Sequence, residues 1–175
     1  DEHRPQRPDE YNPCQLCRFL RLVPDDGSLT QPQSVPLGCW RAKAGQEAAR
    51  VLQIPVGDPI IILRRVLKFS GKPVVLDEIY LPGEVFEGLT LDTLKEWKGS
   101  LYSFFETRFG VRMLRAEEHI RAVAADRMAA ETLGVKEGTP LLSVERVTYT
   151  YNDRPVEWRR GRYLTTQYHY HNELT

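Results

Sequence analysis

LRRVLKFSGKPVVLDEIYLP, residues 63–82, reads as two extended runs folded back on a turn. Ser70-Gly71 lies between the runs as the hairpin turn. In strand 60–69 one face carries Ile61, Leu63, Arg65, Leu67 and Phe69, so Arg65 is the only charge on an apolar face. In strand 74–82 one face carries Val75, Asp77, Ile79 and Leu81, again with a single charge. A buried charge without a partner is very costly, so each needs a counterion or a polar cavity. Register decides whether the two partner each other. A two-residue turn sets Arg64 opposite Asp77; a three-residue loop, or one bulge, sets Arg65 there. A core ion pair and a ligand pocket completed by a small molecule are both open on this stretch alone.

Outward from the hairpin the chain repeats itself. QEAARVLQIPVGDPI (46–60) aligns with RMAAETLGVKEGTPL (127–141): Ala49 falls on Ala130, Leu52 on Leu133, Gly57 on Gly138 and Pro59 on Pro140. Arg65-Val66 then falls on Arg146-Val147 and, after a one-residue shift, Pro73-Val74 on Pro155-Val156. Each copy reads as helix, tight turn, strand, hairpin, strand. Two copies are too few for a solenoid and predict one domain with internal two-fold pseudo-symmetry. Asp126 caps a helix that Gly134 stops. Asn152-Asp153 is the second hairpin turn. Between the copies Ser100 caps a helix running to about Phe109, with Leu101, Phe104, Phe105 and Arg108 on one face and Gly110 as its stop. Val111 to Ala124 reads as a long strand whose apolar phase shifts, which predicts a bulge near Arg115. Phe19 to Val23 reads as a first strand, residues 24–38 as loop, and the polar, proline-rich residues 1–13 as a linker or tail before a domain over 14–175. The sum is an α+β domain: a mostly antiparallel sheet of about six strands with three helices packed on it.

Composition narrows the function. Lys and Arg number 24 and Asp and Glu 24, so the net charge is zero. A free-standing DNA binder usually carries a basic excess, because phosphate neutralisation supplies much of its affinity. No apolar run reaches membrane-spanning length and no signal peptide opens the chain, which predicts a cytoplasmic protein with no membrane partner. The chain opens on Asp1 rather than Met, as expected of a processed protein or a part of a longer one. Cys14 and Cys17 form a C-x-x-C and Cys39 lies further on. An odd cysteine count argues against a disulfide scaffold, zinc would want a fourth ligand at defined spacing, and His3, His119, His169 and His171 offer none, so free thiols and no metal are expected.

Further polar residues fall where a binding site needs them. Glu157 and Tyr163, six apart, share a face of strand 155–164. Ser100, at a helix N-terminus, offers a hydroxyl and free backbone N–H groups, which suit an anion as well as plain capping. Tyr102, in the first turn, faces either a cavity or the core. The chain has no G-x-S-x-G, H-E-x-x-H, P-loop or G-x-G-x-x-G, and neither catalytic residues nor a cofactor are expected.

Several blocks carry a family resemblance. Residues 63–82 resemble the first hairpin of the UTRA domain, the ligand-binding half of HutC-type regulators in the GntR family. Gly99-Ser-Leu-Tyr is similar to the helix that follows it, Leu133-Gly-Val with Gly138-Thr-Pro-Leu-Leu142 and Arg146 to the second unit, and Pro155-Val-Glu157 with Arg162-Tyr163 to the last strand. The resemblance covers roughly residues 37–170; residues 14–36 match poorly. It implies a chorismate-lyase-like fold used as a receptor, with a winged helix-turn-helix DNA reader N-terminal to it and absent here. It also implies that Arg65, Asp77, Ser100, Tyr102, Glu157 and Tyr163 contact the effector. Asp77 stands where Glu is usual, shortening the reach by one methylene, and Leu67 where many members carry a second Arg, which weakens the case for a sugar phosphate.

The expectation is a sensor and dimerisation domain, a homodimer that binds a small polar or anionic metabolite and meets DNA only through the absent domain. Fold does not fix function, and a lyase acting on a chorismate-like acid is the alternative on the same fold. A pure dimerisation module would show no ligand-induced thermal shift.

Overall fold

The hairpin at residues 63–82 lies at the centre of an antiparallel sheet. The computed structural model describes residues 21–28 and 31–174. In chain order the elements are β1 (Leu22–Pro24), β2 (Gln33–Lys43), α1 (Gln46–Leu52), β3 (Pro59–Phe69), β4 (Lys72–Pro82), α2 (Leu91–Glu96), α3 (Leu101–Phe109), β5 (Arg115–Ala124), α4 (Arg127–Leu133), β6 (Pro140–Tyr149), a 3-10 turn (Tyr151–Asp153), β7 (Pro155–Tyr163) and β8 (Tyr168–Tyr170). Six strands form one sheet in the order β2-β3-β4-β7-β6-β5, and β1 pairs with β8 in a separate ribbon. Among the described residues no helix is long and apolar enough to cross a membrane.

The repeat is visible in this order. Each copy runs strand, helix, strand, hairpin, strand, and the two copies meet along β4 and β7, so the sheet reads the same from either edge. The turn hydrogen bonds recur as well. Ala44 N and Ala125 N donate to Asp58 O and Thr139 O, and Gly57 N and Gly138 N donate back to Ala44 O and Ala125 O, all at 2.8 Å. Gly57 and Gly138 hold φ near +90°, which a side chain would strain. Even the irregularities match: register shifts fall at Leu67/Lys68 in β3 and at Thr148/Tyr149 in β6.

Helices α1 and α4 cover one face of the sheet. Ala48, Ala49 and Leu52 pack with Ile60 and Trp158, and Ala129, Ala130 and Leu133 with Val66 and Leu76. The small alanines let these two-turn helices lie close on the strands. The opposite face has two apolar clusters. At one end Leu94, Leu101, Phe104 and Phe105 of α2 and α3 pack on Ile61, Leu63, Ile79 and Leu81. At the other end Leu22 of β1 joins Leu67, Phe69, Val75 and Tyr163.

Four expectations need correction. Residues 33–38 are strand, not loop: β2 is an edge strand, where the missing N–H of Pro36 is tolerated, and its pairing with β3 shifts between Pro36 and Gly38. Of the first strand expected over Phe19–Val23, β1 occupies Leu22–Pro24, and Phe19 and Leu20 lie outside the described residues. There is no bulge near Arg115. Strand β5 begins at Arg115 and pairs with β6 in unbroken register; Val111 and Met113 are apolar because they pack on the α2–α3 cluster ahead of the strand. Finally, the described residues hold four α-helices rather than the three expected, the additional one being α2, nucleated by a capping box between Thr90 and Thr93.

Candidate functional site

The register question at the first hairpin resolves in favour of Arg65. Ser70 and Gly71, with φ of 52° and 79°, make a two-residue loop that pairs Phe69 with Lys72. The shift at Leu67/Lys68 then brings Arg65 opposite Asp77 and Arg64 opposite Glu78. Arg65 Nε donates to Asp77 Oδ2 at 3.0 Å, and both residues are buried. Arg65 Nη1 also reaches Ser34 Oγ on β2 at 3.3 Å.

From that pair a belt of polar side chains crosses the sheet between the two apolar clusters. Arg159 of β7 sets Nη1 3.6 Å from Asp77 Oδ2 and donates from Nη2 to Glu157 Oε2 at 2.9 Å. The other Glu157 oxygen accepts from the Tyr102 hydroxyl at 2.6 Å and from Thr148 Oγ1 at 3.0 Å. Arg146 Nη1 donates to the Tyr102 oxygen at 3.2 Å, and Arg146 Nε donates to Glu118 Oε2 of β5 at 2.9 Å. Tyr170 of β8 donates to the other Glu118 oxygen. Three arginines and three carboxylates thus alternate through the belt. Two buried atoms in it have no hydrogen-bond partner among the described residues, Asp77 Oδ1 and Arg159 Nε.

Electrostatics keep Glu157 ionised and the neighbouring tyrosines neutral. Burial pushes the Glu157 carboxyl up, but Arg159, by charge and hydrogen bond, with Tyr102 and Arg146, outweighs it and holds Glu157 below the usual value. Burial raises Tyr102, reinforced by Glu157 against the opposing Arg159. Burial and then Asp77 push Tyr163 up to about 12. Burial and the like charge of Arg159 lower Arg65, with Asp77 working the other way. For Arg159 itself, the lowering by burial is overcome by Glu157, Tyr102 and Asp77.

Of the six residues singled out from the sequence, Arg65, Asp77, Tyr102 and Glu157 fall in this one network. Tyr163 borders it: Gly161 leaves the room, since a Cβ there would sit 2.6 Å from the Tyr163 ring and 3.0 Å from Asp77 Oδ1. Among the described residues Ser100 makes no hydrogen bond into the belt. Its hydroxyl accepts from Ser103 N at 3.1 Å and so caps α3, the helix whose first turn carries Tyr102 over the sheet. The sequence reading missed Arg159, Arg146, Thr148, Glu118 and Tyr170 as site residues. A lone charge on an apolar face stands out in a sequence, whereas the face of β7 carries Glu157 and Arg159 together. Two signals were present: Arg159 shares a face with Glu157, and Arg146 is the repeat mate of Arg65.

Among the described residues no group of three His, Cys, Asp or Glu side chains is placed to hold a metal ion. Cys39 is a free, half-buried thiol raised by burial; Cys14 and Cys17 lie outside the described residues. A cavity of about 410 Å³ opens between the end of α4, the start of β4 and residues 164–168, lined by Val74, Leu133, Val135, Leu164 and Tyr168. It contains none of the belt residues and its lining is mainly apolar.

The family model for the UTRA domain matches residues 30–169. A solved structure from Bordetella bronchiseptica, the ligand-binding domain of a protein assigned as a GntR-family transcriptional regulator, is similar at a TM-score of 0.88 and 48% identity, covering 90% of this chain and 98% of that one. The effector domain of PhnF from Mycobacterium smegmatis is similar at a TM-score of 0.69 and 27% identity, covering 86% of each chain. The HTH-type transcriptional repressor PhnF of Mycolicibacterium smegmatis is 33% identical over 120 residues, 69% of this chain and 48% of its own length. The chain spans about half the length, or less, of the curated relatives it matches. With the sheet order, the duplicated unit and a family match over most of its length, the chain belongs to the UTRA domain family, the ligand-binding domains of GntR-type regulators.

Proposed function

We propose that this chain is the effector-sensing and dimerisation module of a bacterial transcription regulator acting in the cytoplasm. A small polar or anionic metabolite binds at the belt, and its binding modulates DNA recognition by an N-terminal winged helix-turn-helix domain outside residues 1–175. Arg65, Asp77, Tyr102, Glu157 and Tyr163 are the proposed contacts, with Arg159 added and Ser100 at the capped end of α3. One observation carries the reading. Among the described residues Asp77 Oδ1 and Arg159 Nε have no hydrogen-bond partner inside an otherwise bonded, buried network, and native proteins leave few such groups unsatisfied unless a ligand, ion or water completes them. One is an acceptor and the other a donor, which suits a metabolite carrying both functions. The dimer reading is supported by the open edges β2 and β5, which expose Leu37, Trp40 and Ile120.

A thermal-shift screen of carboxylic acids, amino-acid catabolites and sugar phosphates tests it. A ligand at 100 times its Kd stabilises by about 2.7 kcal/mol, roughly 5–10 °C in a chain of this size. The shift should vanish in Arg159→Leu and Glu157→Gln. A ligand that still stabilises both variants binds elsewhere and sinks the assignment.

A further inference from the structure

We propose that Tyr170 is a positioning residue: through Glu118 it ties the β1–β8 ribbon to the belt, so that the state of the belt sets whether β1 stays docked. This rests on the effector-site reading above and concerns how that site is read out. The connection is a continuous series of bonds. The Tyr170 hydroxyl donates to one Glu118 oxygen and Arg146 Nε to the other, while Arg146 Nη1 bonds Tyr102, which donates to Glu157. Tyr170 is also the residue that faces Leu22 across the ribbon. A rearrangement of Arg146 or Tyr102 therefore changes the carboxylate on which β8 is held.

The ribbon is suited to respond. It has three residues in each strand and, among the described residues, pairs with no strand of the main sheet, and such a small two-stranded unit is marginal by itself. Its ends are closed by Asp25 N donating to Gln167 O at 2.9 Å and His171 N donating to Arg21 O at 2.6 Å. It docks through a few apolar contacts, Leu22 among them, with the Tyr168 ring 5.1 Å from Phe69 and the Tyr170 ring 6.3 Å from Tyr163. The Tyr170–Glu118 bond is its polar link to edge strand β5. In the undocked state Glu118, on that edge and already partly exposed, is solvated instead. The docked and undocked ribbon is thus a two-state element that the belt can bias, as coupling between sites requires. Because β1 is the described strand nearest the N-terminus, its release would pass to whatever precedes it.

Amide exchange by NMR on the full 175-residue chain, without ligand, tests this. Tyr170→Phe keeps the ring and removes the hydroxyl. The Asp25 and His171 amides should then exchange on the order of tenfold faster, while the Ala44 and Ala125 amides, bonded at the two repeat turns, stay unchanged. Tyr102→Phe alters the belt and changes no residue of the ribbon, and it too should speed Asp25 and His171 several-fold. In the Tyr170→Phe background Tyr102→Phe should add nothing further. The proposal is overturned if Tyr102→Phe leaves both rates alone, if the two effects add in the double variant, if Tyr170→Phe is silent, or if the repeat-turn amides accelerate equally. Since no ligand is involved, failure here leaves the sensor reading standing, and failure of the thermal-shift screen leaves the coupling standing.

Discussion

Removing Arg65 should unfold the empty domain at a distinctly lower temperature. Its guanidinium lies 3.0 Å from Asp77 Oδ2, with the two side chains 9% and 0% exposed. Deleting one partner of such a buried pair costs about 3–5 kcal/mol, because the remaining charge is stranded. Asp77 would keep Arg159 at 3.6 Å, and a leucine at 65 would gain apolar contact between Leu63 and Leu67, so the low end of the range applies, about 3 kcal/mol. In a chain of this size that is roughly 6–12 °C in Tm. Thermal unfolding of Arg65→Leu followed by circular dichroism at pH 7, without ligand, reads it directly. A companion variant locates the cause. Arg65→Leu with Asp77→Leu removes both charges and leaves Arg159 its 2.9 Å bond to Glu157, so it should recover most of the loss. A single variant within ~2 °C of the wild type would refute the claim that Asp77 depends on Arg65. So would a double variant that unfolds lower still. The same single variant should also lose its ligand-induced shift, since ion pair and binding contact are one group in two states.

Gly161→Ala should cost about 1–3 kcal/mol in chemical denaturation, since the new methyl group would meet the Tyr163 ring at 2.6 Å and Asp77 at 3.0 Å; a neutral result would show that Tyr163 moves aside freely. Glu157 is held below its ordinary 4.5, so its ionised form adds stability above that value and the contribution is lost as pH falls through the folded pKa. Glu157→Gln should therefore melt below the wild type at pH 7, with the gap closing as pH drops below 4.5; a pH-independent gap would mean that lost packing, not charge, is responsible. Light scattering should give a dimer mass, and a monomer at high concentration would count against the exposed edges as an interface.

Much of this fold was legible because it is written twice. The alignment of residues 46–60 with 127–141 gave helix, turn and strand in both copies, and Asp126, Gly134, Ser100 and Gly110 perform the capping and stopping expected of them. What failed was governed by tertiary context. Pro36 and Gly38 read as loop until the strand proves to be an edge. Val111 reads as strand until α3 is seen to bury it. The site was half legible for a related reason. A single charge among aliphatic residues, like Arg65 or Asp77, stands out in one strand. Glu118 belongs to a largely exposed strand, and only its pairing opposite Arg146 draws it into the belt.

The duplication also explains where the belt lies. The two copies are related about an axis between β4 and β7, close to the paired residues Glu78 and Arg160, so equivalent positions near it approach one another. Under the repeat alignment Asp77 corresponds to Arg159. Had the copies stayed alike, two aspartates or two arginines would face each other there, a like-charge contact that a buried site does not tolerate. Instead the positions have diverged to opposite charge and lie 3.6 Å apart. Arg65 and Arg146 have not diverged, and each finds a carboxylate, Asp77 for one and Glu118 for the other. At the remaining positions one copy keeps Leu67 and Val75 in the apolar cluster while the other sets Thr148 and Glu157 in the belt. A two-fold frame has thereby acquired one lopsided polar centre rather than two equal ones. That asymmetry suits the proposed recognition of an asymmetric small molecule, and it arises from a few differences between the copies on a face whose backbone the repeat lays out.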